Sequence, residues 1–225
     1  MACARRVVVV AGPTAVGKSA LALRLCEQLP GELISVDSVQ VYRGLSIGAN
    51  KPSQAETNRV PHHLIDIREA CDEYTAGEFY RDALHSIRDV LTRGRTPILC
   101  GGSSMYLRWL VRGRPDAPKS DPLVAEEIRT KLAPLEIAGD WTQGLALLER
   151  KDPLRAAQIS RNDWYRLHRA LVVTEQRAGQ GLVEDGEVEG LDLFRESLDL
   201  RCFFLYAPRV PLCRRIDARC EAMLQ

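Results

Sequence analysis

Residues 12–19 read GPTAVGKS, a full match to the pattern GxxxxGK[ST]. The octet follows the β-branched run RVVVVA at residues 6–11 and opens a stretch with helical apolar spacing, which is the strand, loop and helix setting that the pattern requires. Glycine lets the backbone turn its N–H groups inward, the helix N-terminus adds positive potential, and Lys18 sets a cation on phosphate oxygens. The chain is therefore constrained to begin as a βα unit whose turn is a phosphate cradle built from Gly12, Pro13, Thr14, Ala15, Val16, Gly17, Lys18 and Ser19. Ser19 is the expected Mg²⁺ ligand. The bland alternative is a glycine-rich turn followed by a chance lysine. Such a cradle recognises phosphate geometry and not what hangs from it, so nucleotide binding, including ATP, and binding of any other diphosphate both fit the motif.

Four further β-rich runs follow, at residues 32–36, 63–67, 96–100 and 201–206. Helical patterns separate most of them. One spans 18–28 with Leu21, Leu23 and Leu25 on its apolar face; another spans 76–92 with Phe79, Ala83, Ile87 and Val90, and Gly94 stops it. Alternation of this kind predicts an α/β fold, a P-loop NTPase-like parallel sheet flanked by helices. After Leu110 the pattern breaks at Pro115, Pro118 and Pro122, and no β-rich run returns until Arg201. The expected organisation is a catalytic core of residues 1–114 and 198–225 with a helical insertion domain at 115–197. Within the insertion, residues 179–190 are rich in glycine and acid and read as a flexible loop.

Composition narrows the class. With 225 residues, 45% of them hydrophobic and 27% charged, the chain reads as a soluble globular protein with a sizeable core. No apolar run approaches the roughly 18 residues of a membrane span, and a monomer is expected. The start leaves no room for a cleavable leader, which points to the cytoplasm, or to an organelle if residues precede Met1. The seven cysteines are scattered and form no CxxC pair, so neither a disulfide framework nor a zinc site is indicated. Cys213 and Cys220, seven apart on a helix, read as sharing a buried face. A net charge of +1 gives no hint of nucleic acid, which would have to be met by a local basic surface.

Ligands of open α/β sheets sit beyond the carboxyl ends of the strands. The second run ends in Ser35, Val36, Asp37 and Ser38, where a carboxylate can bind Mg²⁺, accept a proton or cap the next turn. The third is introduced by His62 and His63 and ends near Asp66, with the histidines read as core or loop residues before ligands or acids. The fourth ends in Gly101, Gly102, Ser103 and Ser104, which bring backbone close to a ligand and supply hydroxyl donors. No acid follows that strand, which weighs against an ordinary ATPase.

Taken together, GPTAVGKSALAL from Gly12, ELISVDSVQVYRGLSIG from Glu32, KP at Lys51, PHHLIDI from Pro61, YTAGEFYRDA from Tyr74 and GGSSMYLRWL from Gly101 resemble the tRNA dimethylallyltransferase (tRNA isopentenyltransferase) family. So do DP at Asp152, RNDWYRLHRAL from Arg161 and PRVPLCRRIDARCEAML from Pro208, and the tRNA-type members of plants and algae resemble it most. These segments span nearly the whole chain in the family's order.

The resemblance implies that the exocyclic N6 of an adenine next to the anticodon of tRNA attacks the first carbon of dimethylallyl diphosphate. It implies that the cradle grips the leaving diphosphate with Mg²⁺ at Ser19 and Lys18, that Asp37 is the general base, and that Arg215 or Arg219 helps to neutralise the departing charge. It places Asp37, Ser38, Val39, Gln40 and Ser103 against the flipped base and Tyr165, Arg166, Leu167, His168 and Arg169 against tRNA. Without the family match, the arginines of that stretch read equally as a solvated basic face, and Trp164 and Tyr165 as packing residues. Two departures stand out. Ser103 replaces the threonine of most tRNA-modifying relatives, and the chain stops where the family continues with further helices, so a C-terminally truncated member is expected. The competing expectations are an adenylate isopentenyltransferase acting on free nucleotide, a small-molecule P-loop kinase, and a chain that binds without turnover.

Overall fold

The computed structural model describes residues 5–114, 120–179 and 186–224. Pro115, Pro118 and the segment 180–185 lie outside them. Five strands, β1 (Arg6–Ala11), β2 (Gly31–Val36), β3 (His62–His63), β4 (Thr96–Gly101) and β5 (Asp199–Phe204), form one parallel sheet in the order β3-β2-β4-β1-β5. The register aligns the carboxyl ends: Ala11 faces Gly101 and Phe204, and Val36 faces Gly101. Whatever follows β1, β2 and β4 therefore starts from one common edge.

A parallel sheet covered on both faces needs apolar residues on both sides of each strand, and β1 supplies them as four consecutive valines. Val7 and Val9 point to one face with Ile34, Val36 and Leu99, where they meet α3 (Ala76–Thr92) and α4 (Ser104–Arg112). Val8 and Val10 point to the other with Leu33 and Ile98, where they meet α1 (Lys18–Gln28). The residues that α1 buries fully are Ala22 and Cys26, while Leu21, Leu23 and Leu25 flank them partly exposed. Small side chains let α1 lie close on the sheet, and Gly31 shares in this, since a Cβ there would sit 2.8 Å from Ile98 Cδ1. A capping box of Thr75 and Glu78 starts α3. A similar box of Ser53 and Glu56 starts the short α2 (Gln54–Arg59).

The chain divides into two compact units, Met1–Arg114 with Gly186–Gln225, and Pro115–Asp185. The second holds α5 (Pro122–Ala138), α6 (Trp141–Glu149), α7 (Pro153–Ala156) and α8 (Trp164–Gly179). Its core gathers Ile128, Leu132, Leu148, Leu167 and Leu171 around an edge-on pair of Trp141 and Trp164, against which Gly144 is packed.

The boundary differs from the sequence reading. Residues 186–196, taken there as part of the insertion and partly as flexible loop, form helix α9 (Gly186–Glu196) of the first unit. The reason is packing: Leu191 joins the sheet's core cluster and Asp192 accepts a 2.6 Å hydrogen bond from the Tyr80 hydroxyl of α3. A second correction concerns α10 (Arg209–Met223). It buries none of its residues, so Cys213 and Cys220 are exposed and share no buried face. Beside it the outer strand β5 carries Phe203 and Phe204 exposed on either face. Among the described residues no helix is long and apolar enough to cross a membrane.

Candidate active site

The cradle is shaped by its glycines. At Gly12, φ is 149°, and a Cβ would lie 2.7 Å from the Leu205 carbonyl, so a side chain here would collide with the backbone just past β5. Ala15 and Gly17 also take positive φ, at 61° and 102°, and Gly17 leads straight into α1. The Lys18 amine arches back over the loop and donates to the Pro13 carbonyl at 2.8 Å. Burial pulls the Lys18 pKa below its ordinary value; the Arg219 charge acts the same way, while Cys100 and Asp37 oppose it. A cation held in partly desolvated surroundings gains most when an anion arrives. Beneath it, burial pushes the Cys100 thiol up to about 11 despite the Lys18 charge and a hydrogen bond with Ser19. It is a neutral thiol at physiological pH, not a nucleophile.

The two glycines after β4 have different reasons. A Cβ at Gly101 would stand 1.9 Å from the Val36 carbonyl oxygen of β2. At Gly102 it would stand 3.4 Å from the Gly12 carbonyl and 3.7 Å from the Lys18 amine. The first glycine thus lets β4 close on β2, and the second leaves room beside the cradle. Ser103 follows as the residue before α4, but its hydroxyl caps nothing in that helix. It turns instead toward β2 and accepts from the Ser38 backbone N–H at 3.2 Å.

Asp37, first after β2, uses one carboxylate oxygen as a turn cap. Oδ1 accepts from the backbone N–H groups of Val39 at 2.9 Å and Gln40 at 3.3 Å. Oδ2 has no protein partner among the described residues. The Gln40 amide is spent inside the protein: Nε2 donates to the carbonyls of Ala49 and Asn50, both at 3.1 Å, and Oε1 accepts from Ser35 at 2.8 Å. Gln40 therefore builds the wall behind Asp37 and Val39, and its amide is not presented to a base. Of the two α10 arginines that the family resemblance points to, Arg215 is exposed and donates to Pro211 within its own helix at 3.4 Å. Arg219 is half-buried, and its charge reaches Lys18.

A pocket of about 480 Å³ opens beside the cradle. Gly12, Pro13 and Gly102 form one side of it, and Leu107, Tyr206 and Leu212 contribute its apolar walls. These apolar residues were not singled out from the sequence. The available signal was Phe204 and Tyr206 at strand spacing, ahead of an α10 with no apolar stripe of its own.

In the helical unit the stretch 165–169 does not present one uniform face. Tyr165 is 82% exposed, Arg166 is exposed and pairs with Asp163 at 3.1 Å, and Arg169 donates to the Ser120 hydroxyl. Leu167 is 0% exposed and the His168 ring nitrogen sits 2.9 Å from the Ala125 carbonyl of α5. Leu167 is corrected from a tRNA-contacting residue to a core residue, because its place on α8 faces the tryptophan pair. His168 likewise ties α8 to α5.

Among the described residues no cluster of three or more His, Cys, Asp or Glu is arranged to hold a metal. A Mg²⁺ at the Ser19 hydroxyl fits this donor set only with phosphate oxygens and water completing its shell, which is the usual manner of that ion.

The IPP transferase family model matches residues 40–225. The chain belongs to the IPP transferase family. It is 39% identical to tRNA dimethylallyltransferase 9 of Arabidopsis thaliana, over 97% of this chain and 53% of that protein. It is 44% identical to tRNA dimethylallyltransferase 1 of Trichlorobacter lovleyi, over 97% of this chain and 70% of that one. A solved structure described as a eukaryotic dimethylallyltransferase acting on tRNA superposes with a TM-score of 0.74 at 28% identity, covering 97% of this chain and 52% of that one. The full-length tRNA isopentenylpyrophosphate transferase of Bacillus halodurans gives 0.61 at 30%, covering 98% and 66%. This chain thus spans about half the length of its plant relative. In this chain the histidines of the third strand are structural. His62 Nδ1 lies 2.7 Å from the Val60 carbonyl, and His63 Nε2 lies 2.6 Å from Glu32, the second residue of β2, at the end away from the cradle.

Proposed function

We propose that this chain transfers a dimethylallyl group from dimethylallyl diphosphate to N6 of an adenine next to the anticodon of tRNA. The N6 lone pair forms a bond to C1, the C1–O bond breaks with its electron pair going to diphosphate, and the N6 proton passes to the Asp37 carboxylate. The observation that carries this reading is the common edge: the cradle follows β1 and Asp37 follows β2, with β4 alone between them. Their charges are near enough to act on one another.

Lys18, Arg219 and the inward N–H groups of residues 14–19 are suited to hold the diphosphate and to stabilise the charge that grows on it. Mg²⁺ at Ser19 would add charge neutralisation at the leaving group. The apolar pocket bounded by Leu107, Tyr206 and Leu212 beside Gly12 suits the five-carbon chain. Asp37 Oδ2 is the oxygen that accepts the proton, since Oδ1 already holds the turn. The Ser103 hydroxyl, which accepts from the Ser38 N–H, orients the base in this reading. In the helical unit, Tyr165, Arg161, Arg166 and Arg169 supply stacking and phosphate contacts to tRNA.

The test is incubation with tRNA, Mg²⁺ and labelled dimethylallyl diphosphate, with AMP as a competing acceptor. Label in tRNA is expected. Label only in AMP would replace the acceptor, and phosphate transfer from ATP to a metabolite without any prenyl transfer would overturn the reading.

A further inference from the structure

Two motifs have no part in the chemistry above: the KP dipeptide at Lys51 and the aspartate of PHHLIDI, Asp66. They meet in the fold. The Lys51 side chain is only 4% exposed, yet its ammonium has an acid beside it: Nζ lies 2.5 Å from Asp66 Oδ1. It also donates to the Tyr42 carbonyl at 2.5 Å. A lysine is seldom this buried, and burial of its charge is tolerated only where it is paired and hydrogen-bonded.

The segments it joins are the loop that follows Asp37 and the turn that follows β3. Tyr42 closes the turn that Asp37 begins, its N–H bonded to the Val39 carbonyl at 3.2 Å. The Asp66 N–H donates to the Gln40 carbonyl at 3.2 Å, and Gln40 in turn donates its own N–H to Asp37 Oδ1. A path of bonds therefore runs from the buried ammonium through Asp66 to Gln40 and Asp37. Arg43 extends it by donating to the Asp66 carbonyl at 2.9 Å. The backbone around the junction is strained: Asn50, Leu64 and Asp66 all adopt left-handed φ, at 46°, 61° and 57°. Such conformations persist where surrounding contacts over-determine them.

We infer that Lys51 is a positioning residue: its bridge from Asp66 to Tyr42 braces the 38–51 loop and so fixes the direction of the Asp37 carboxylate. This rests on the proposed role of Asp37 as base. The brace touches neither the cradle nor α10, so it acts on the acceptor side of the reaction and leaves donor binding alone.

The experiment compares the wild type with Lys51→Met, which keeps the length and removes the charge, and Asp66→Ala, whose side chain is 49% exposed and so is easily spared by the fold. Amide hydrogen exchange and steady-state prenyl transfer are measured on the same preparations. Exchange at residues 38–42 is expected to speed at least tenfold while β1 and β4 keep their rates. The kcat is expected to fall at least tenfold with the KM for dimethylallyl diphosphate within twofold. A folded variant with unchanged exchange at 38–42, or with faster exchange and unchanged kcat, overturns the inference. If Lys51→Met does not fold, Asp66→Ala decides by the same two readouts. A wild type that transfers no prenyl group sinks the proposed function, and exchange at 38–42 then judges the brace separately.

Discussion

Replacing Asp37 by asparagine and by alanine separates two jobs of one carboxylate, the turn that Oδ1 holds and the proton transfer that the proposed function gives to Oδ2. Oδ1 accepts from the N–H groups of Val39 and Gln40, and Oδ2 has no protein donor among the described residues. Asparagine keeps a carbonyl oxygen for the turn and loses the base; alanine loses both. Two neutral-donor hydrogen bonds contribute about 1 kcal/mol each net, so Asp37→Ala should cost about 1–2 kcal/mol of stability. For a chain of this size that lowers Tm by roughly 2–8 °C. Asp37→Asn should melt within about 0.5 kcal/mol of wild type, as a change that leaves the acceptor in place. Both should lose at least about 10²-fold in kcat, the lower end of what a general base contributes, with little change in diphosphate affinity. Thermal melts, calorimetric titration with dimethylallyl diphosphate and single-turnover transfer to tRNA give the three quantities. An Asp37→Asn enzyme with kcat within a few-fold of wild type would refute the assignment of Oδ2. An Asp37→Asn protein as unstable as Asp37→Ala would refute the turn.

Four further outcomes follow from the same geometry. Gly101→Ala puts a methyl group 1.9 Å from a carbonyl that cannot move without breaking the β2–β4 register, so a stability loss of at least about 3 kcal/mol is expected in denaturant titration. Gly102→Ala meets nothing closer than 3.4 Å and should fold, with its effect confined to diphosphate affinity by calorimetry. Arg219→Ala should weaken diphosphate binding about tenfold, the loss of one charge-assisted contact, while Arg215→Ala stays within about twofold in the same titration. Glu32 is buried, and burial works to raise its pKa, but hydrogen bonds from Arg93 and His63 and their charges outweigh it and hold the carboxyl below its ordinary value. A depressed carboxylate stabilises above its unfolded pKa and loses that contribution as pH falls through the folded one. Stability measured by urea from pH 7 down to pH 3 should therefore drop, and Glu32→Gln should flatten the drop while lowering stability at pH 7.

What the sequence made legible was local and periodic. The GxxxxGK[ST] octet and the valine run fixed β1, the cradle and α1, whose bounds agree with the structure. The aliphatic spacing of residues 76–92 likewise gave α3. The third strand was over-read: only His62–His63 pairs, because Leu64 and Asp66 turn to positive φ and leave the ladder. Glycine and acid in residues 186–190 suggested a loop, and tertiary contacts of Leu191 and Asp192 overrode that local signal. Leu167 and His168 lie in the same five-residue motif as Arg166, and no periodicity within five residues distinguishes the face that packs from the face that meets solvent. Nor does spacing show that Gln40 spends its amide on Ala49 and Asn50, since both contacts close a loop of irregular backbone.

The strand order is compatible with the proposed prenyl donor in a cradle that elsewhere suits nucleoside triphosphates. One strand separates β1 from β2, and two inter-strand spacings amount to roughly 10 Å. A reacting amine and carbon approach to roughly 3 Å before bond formation, and the amine reaches its base over roughly another 3 Å. What remains is about the length of one carbon, one oxygen and the phosphorus held in the cradle. Gly101 and Gly102 keep that gap open and narrow, for a side chain at the first would push β2 and β4 apart and one at the second would enter the space itself. On the proposed function the Asp37 carboxylate acts next to the first atom beyond the leaving group, and that atom is carbon.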